Sequence, residues 1–202
     1  MKGMMRVVIA TGVPGVGKTT VTSKAVEMLK EKGYKVKVAN FGDYMLKVAK
    51  ERGWVQHRDE MRKLNLSQQR ELQALAAKAI IEEAKAELGD EGVLIVDTHA
   101  AINTPTGVWP GLPKHVIENL NPAIIFVIEA SPEEIVERQR GDKGRVRSDY
   151  SDVDFLKRFM ELARNAAIAS AVLVGAAVNV IYNRQGAVEE AAAKFVEAVE
   201  KI

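Results

Sequence analysis

Cysteine is absent from all 202 residues. That excludes disulfides, thiolate metal sites, iron–sulfur clusters and cysteine nucleophiles together. Aromatic residues are scarce, at 5% of the chain, so there is little material for a basic surface interleaved with base-stacking rings. Net charge is close to nil. The 29 lysines and arginines against 27 aspartates and glutamates leave +2, which argues against a chain built to coat nucleic acid. No stretch approaches the roughly 18 consecutive apolar residues that span a bilayer. The opening MKGMMRVVIATG is apolar only briefly and then enters a glycine loop with no cleavage site, so neither signal peptide nor membrane segment is expected, and the expected location is cytoplasmic. What remains, 47% hydrophobic and 28% charged, is ordinary for a soluble globular chain.

Apolar patterning divides that chain cleanly. Residues 5–11, 34–41, 92–97, 123–129 and 178–182 are short β-branched runs bounded by glycine or polar residues, which predicts buried strands. Between them, 18–32, 43–52, 67–88, 152–174 and 187–201 carry helical spacing. Asn65 and Gln68 are spaced as a capping box, and Ser131-Pro132-Glu133-Glu134 reads as a cap, a proline at the first helical position and a glutamate three after the cap. Residues 53–65, 98–113 and 141–151 read as irregular. Alternating strands and helices predict an α/β fold: a five-stranded parallel sheet with helices on both faces, in one domain (1–202) with two inserted segments.

The strongest chemical signal is Gly12-Val13-Pro14-Gly15-Val16-Gly17-Lys18-Thr19, which fits G-x-x-x-x-G-K-[ST] in full between a predicted strand and a predicted helix. Glycines let the backbone curl so that successive N–H groups face phosphate oxygens. The helix that follows adds unpaired donors and a positive dipole end. Lys18 is placed to reach the terminal phosphates, and the Thr19 hydroxyl, with Thr20 beside it, to serve the Mg²⁺ that accompanies ATP. Asp97 ends the third predicted strand at the sheet's carboxyl edge, where a carboxylate either assists that metal or caps the next loop.

A phosphate loop alone does not separate kinases from GTPases or motors. The guanine-reading N-K-x-D is missing, since no Asn-Lys pair occurs, and the chain is small for a helicase or motor. Four of the twelve arginines, Arg138, Arg140, Arg145 and Arg147, fall within ten residues that also hold Gly141 and Gly144. Such a cluster can clamp the charge that phosphoryl transfer gathers in one place, and its glycines allow a lid. Arg58 and Arg62 are four apart, on one face if helical, and can grip an acceptor phosphate. Asp43, after Phe41-Gly42, reads first as a helix N-cap. His99 follows Asp97 closely and either lines the site or is structural; His57 and His115 read as surface residues. No residue set suggests a general base. An acceptor hydroxyl would need one, whereas a nucleoside monophosphate attacks through an oxygen that is already anionic.

GVPGVGKTT, NFGDYML, RDEMRKL, DTHA with TPTG and PGLP, NPAIIFVIEASPEEI and RVRSDY together resemble the archaeal-type adenylate kinases over nearly the whole chain. The resemblance implies the nucleoside-monophosphate-kinase version of the P-loop fold, reversible transfer from MgATP to AMP giving two ADP, and a homotrimer. It makes residues 12–20 the ATP phosphate site, with Lys18 catalytic and Thr19 and Asp97 toward Mg²⁺. It makes about 43–66 the AMP-binding insert, with Asp43, Arg58, Arg62 and His99 toward AMP, and about 138–151 a short lid carrying the four clustered arginines. Bacterial relatives carry an arginine-bearing motif after the third strand where DTHAA stands here, so Arg58 or Arg62 is expected to replace it. A trimer needs an apolar surface, and 155–175 supplies apolar residues over more than one stripe. Two rivals remain at this stage: another small-substrate kinase (cytidylate, thymidylate or shikimate-type), and an ATP-binding regulatory protein.

Overall fold

The computed structural model describes residues 4–104, 107–141 and 152–202, and within these the side chains of Arg62, Gln139 and Arg140 fall outside the described set. The strands are β1 (Arg6–Thr11), β2 (Val36–Asn40), β3 (Val93–Asp97), β4 (Ala101–Thr104), β5 (Gly107–Pro110), β6 (Ile124–Glu129) and β7 (Ala177–Tyr182). The helices are α1 (Lys18–Glu31), α2 (Phe41–Glu51), α3 (Leu66–Leu88), α4 (Lys114–Leu120), α5 (Pro132–Gly141), α6 (Val153–Val172) and α7 (Val188–Glu200).

Five strands form one parallel sheet in the order β2-β3-β1-β6-β7. From β1 the chain first builds to one side and later to the other. The crevice outside the carboxyl ends of β1 and β3 is therefore the topological switch point, where such sheets bind ligands.

Alternate residues of β1 serve opposite layers, as strand geometry requires. Val8 and Ala10 join the core under α1 and α7, where the rings of Phe126 and Phe195 stack at 3.8 Å between centroids. Val7 and Ile9 join the core under α3 and α4. Each such aliphatic side chain removed wholly from water contributes about 1.5–3 kcal/mol. Helix ends follow the sequence: Asn65 accepts from Gln68 N at 2.9 Å while Gln68 accepts from Asn65 N at 3.2 Å, and Ser131 and Glu134 make the same reciprocal pair.

Three expectations need correction. The stretch 98–113 is not wholly irregular: β4 and β5 pair antiparallel, Ala101 with Pro110 through Thr104 with Gly107. Asp43 does not cap α2. The helix starts earlier, at Phe41, and Asn40 is the cap, its Oδ1 accepting from Asp43 N at 3.1 Å. His115 is not simply a surface residue. It is half-buried with Nε2 at 2.9 Å from Gln73 Oε1, and burial pushes its imidazole below the ordinary histidine range.

Candidate active site

β1 delivers the chain to the switch point through Thr11, whose buried hydroxyl accepts from Ala100 N at 2.7 Å and so pins the segment after β3 beside the loop. The loop's glycines serve two different ends. Gly15 and Gly17 have φ of 95° and 82°, the left-handed region that favours glycine. Gly12 has no positive φ; a Cβ there would lie 2.6 Å from the Ile128 carbonyl oxygen, so it is glycine for close approach to β6 rather than for conformational freedom. α1 begins directly after Gly17 with no acidic residue in its first turn, leaving its amide donors and positive dipole end facing the crevice.

Lys18 pairs with Asp97 Oδ1 and donates to the Thr98 carbonyl at 3.0 Å. The other carboxylate oxygen of Asp97 accepts from Asn40 Nδ2 at 3.1 Å. The start of α1 and the ends of β2 and β3 are thereby tied into one polar floor. Among the described residues no three His, Cys, Asp or Glu side chains converge on a metal cage. The Thr19 hydroxyl and Asp97 carboxylate are hard oxygen donors, which suits an ion that takes its remaining ligands from substrate phosphates and water. His99 Nδ1 lies 3.1 Å from the Gly12 carbonyl oxygen; facing an acceptor, that nitrogen carries the proton.

These groups open on a cleft of about 590 Å³. Val13, Pro14, Gly15, Gly17, Lys18 and Thr19 line one end, and Asp97, Thr98 and His99 the floor. Asn40, Phe41, Gly42, Met45, Arg58, Ile102 and Arg138 complete the lining. Arg58 sits on a 3-10 turn, Arg58–Lys63, and pairs with Asp43, both side chains being more than half exposed. An ion pair so open to water is worth little, so Arg58 can exchange Asp43 for a bound anion.

Arg138 behaves differently from an open clamp. Its Nη1 donates to the Val16 and Gly15 carbonyls at 3.2 and 3.4 Å, its Nη2 to the Asn183 carbonyl at 3.2 Å and its Nε to Gln185 Oε1 at 3.3 Å. The guanidinium braces the loop while itself lining the cleft. Arg145 and Arg147 lie outside the described residues, as do the side chains of Arg140, on α5, and Arg62. Sequence reasoning missed Asn40, Met45, Ile102 and Asn183. The signal for Asn40 and Asn183 was position: one ends β2 and the other follows β7, both at the sheet's carboxyl edge.

A parallel sheet with a phosphate-cradling loop, a lysine at its helix start and an arginine across one cleft defines a P-loop kinase. The fold is similar to that of a shikimate kinase from Bacteroides thetaiotaomicron (TM-score 0.56, 17% identity, covering 97% of this chain and 99% of that one). A family model described as "AAA domain" matches residues 11–156. The chain is 52% identical over 195 residues to an adenylate kinase of Saccharolobus solfataricus, covering 96% of this chain and all of the relative. It is 46% identical to that of Methanopyrus kandleri (97% and 98% covered) and 44% to that of Methanocaldococcus jannaschii (96% and 98%). The chain belongs to the adenylate kinase family.

Proposed function

We propose that this enzyme transfers the terminal phosphoryl group of ATP to AMP, reversibly, giving two ADP. The observation that carries this reading is one cleft lined both by the glycine-rich loop at Gly15–Thr19 and by Arg58. Full-length identity of about half to adenylate kinases supports it.

In this reading the loop from Gly12 to Thr20 receives the triphosphate on its amide groups. Lys18 leaves Asp97 for the transferring phosphoryl, stabilising charge that grows on its oxygens. Arg58, with Arg62 on the same short turn, holds the AMP phosphate in line, and Asp43 keeps Arg58 in place until AMP arrives. The AMP oxygen forms the new bond to the γ-phosphorus, the bond from that phosphorus to the bridging oxygen breaks, and its electron pair leaves on ADP. The attacking oxygen is anionic already, so His99 shapes the floor and no base is needed. Thr19 and Asp97 would hold Mg²⁺, which when bound neutralises phosphate charge. Arg138 holds the loop, while Arg140, Arg145 and Arg147 close over the phosphates and exclude water.

AMP, ADP and ATP are the partners, in the cytoplasm, with neither nucleic acid nor membrane among them. Among the described residues no helix is long and apolar enough to cross a membrane. We also propose a homotrimer. Leu162, Ile168, Val172 and Leu173 on and beside α6 are exposed, as are Val180 and Tyr182 on the edge strand β7, and a second copy would cover them. A coupled assay with ATP against AMP, CMP, dTMP and shikimate tests the activity: ADP formation with AMP alone supports it, and a preference for any of the others refutes it.

A further inference from the structure

One residue next to the phosphate loop stands in an unusual place. Asn183 follows β7, is 2% exposed, and its own amide donates to the Glu129 carbonyl at 2.7 Å, so its backbone is fixed by the end of β6. Its side-chain Nδ2 donates to the Val16 carbonyl at 2.8 Å. The same nitrogen lies where a Cβ on Gly17 would have to go, 2.4 Å away, so side chain and loop are in direct contact.

We infer that Asn183 is a positioning residue for the donor nucleotide, acting by fixing the orientation of the peptide between Val16 and Gly17. The peptide unit is planar and trans, so its C=O and N–H point in opposite directions. Anchoring the Val16 carbonyl outward on Asn183, with Arg138 as second donor, turns the Gly17 N–H inward, and Gly17 lines the cleft. A left-handed glycine peptide without that anchor is free to flip, and each flip replaces a phosphate donor with a carbonyl that repels phosphate. The brace is itself stitched down: Arg138 also donates to the Asn183 carbonyl, and Gln185 N donates to Glu134 Oε1 at 2.8 Å, joining the 183–185 segment to α5.

The inference rests on reading the loop as the ATP site, and a second feature makes it separable from mere stability. Asn183 Oδ1 is buried and accepts no hydrogen bond among the described residues. An orphan acceptor of that kind opposes folding, so the near-isosteric Asn183→Leu removes a cost together with the Nδ2 donor. A purely structural asparagine would lose stability and binding in step, whereas a positioning residue loses donor affinity alone.

The test measures dissociation constants for MgATP and for AMP separately by calorimetry, with kcat, KM and melting temperature, on wild type and Asn183→Leu. The expected result is a Kd and KM for MgATP raised about five- to tenfold, the loss of one loop anchor. The AMP constants and kcat at saturating ATP should stay within about twofold, with melting temperature held or raised. If the leucine variant does not fold, Asn183→Ala carries the same comparison. Wild type that binds MgATP beside a folded variant that binds it equally well overturns this inference alone. A parallel fall in ATP affinity, AMP affinity and melting temperature also overturns it, in favour of a structural role. Wild type that binds no MgATP overturns the donor-site reading, and this inference with it.

Discussion

Lys18 and Asp97 are paired across the floor of the cleft, the lysine from the first turn of α1 and the carboxylate from the end of β3. The proposed reading has nucleotide phosphate compete with Asp97 for the lysine.

Removing the lysine should abolish that stabilisation of the transition state. Lys18→Ala is expected to cut kcat by about two to three orders of magnitude, the scale of losing one donor aimed at developing charge, with melting temperature nearly unchanged. Asp97→Asn should also lower kcat and raise the Mg²⁺ concentration needed for half-maximal rate, because among the described residues it removes the only carboxylate lining the cleft. Steady-state kinetics at varied Mg²⁺ reads both outcomes.

Arg58 lines the cleft with its side chain more than half exposed, and in the proposed reading it takes the AMP phosphate. Arg58→Ala should raise KM for AMP by about tenfold or more, the loss of a charge-assisted phosphate contact, while leaving the Kd for MgATP alone. The pairing with Asp43 gives a second reading of the same site: Asp43→Ala frees the guanidinium but releases its orientation, so KM for AMP should change far less than in Arg58→Ala. Equal losses in the two variants would mean that the pair acts as one unit.

Gly12 tests the loop's packing rather than its flexibility. Gly12→Ala drives a methyl group against the Ile128 carbonyl, a backbone atom that cannot step aside. A loss of about 1–3 kcal/mol in stability is expected, with a fall in ATP affinity as the loop shifts. Gly53→Ala is the control. Nothing lies within 4 Å of its Cβ, so it should cost only the left-handed strain of φ 68°, about 1–2 kcal/mol, and leave ATP affinity intact. Denaturant titration with calorimetry compares the two.

Much of this was legible from the chain itself, and the reasons are physical. The five strands of the sheet are apolar runs cut by glycine or charge; β1, β3 and β6 are buried as such runs predict, whereas β2 and β7 lie at the sheet's edges and keep exposed residues, Val38, Val180 and Tyr182 among them. The capping pairs Asn65–Gln68 and Ser131–Glu134 are local, so spacing alone identifies them. The hairpin β4–β5 was hidden because each strand is only four residues and Pro110 ends one of them. α4 was hidden for a similar reason, having seven residues and no side-chain cap. Asp43 was misread because Asn40 and Asp43 are both good capping residues three apart, and only the observed start of α2 decides between them. The partners of Arg138 and Asn183 are over 40 residues away in the chain, and no local pattern encodes such contacts.

The root of the acceptor-side helix depends on charge. Glu83 on α3 is held below the ordinary carboxylate range, first by Lys47 and then by the Tyr44 hydroxyl at 2.7 Å, both on α2. Its folded value lies below its unfolded one, so its stabilising effect is present above the unfolded value and disappears as pH falls through the folded one. Glu83→Gln should therefore melt below wild type at neutral pH, and the difference should shrink away as pH falls through and below the folded-state value. A constant difference across that range would mean that the contact works through shape rather than charge.

In the proposed reading donor and acceptor meet in one cleft, between the loop at Gly12–Thr20 and Arg58. A crystal structure of the enzyme with a bisubstrate analogue that links two adenosines through five phosphates tests this. Phosphate oxygens are expected within hydrogen-bond distance of the Gly15, Gly17 and Lys18 amides, with Lys18 moved from Asp97 onto the phosphates and the second adenosine's phosphate on Arg58. Phosphates bound outside the loop, or Lys18 still on Asp97 with the analogue in place, would contradict it.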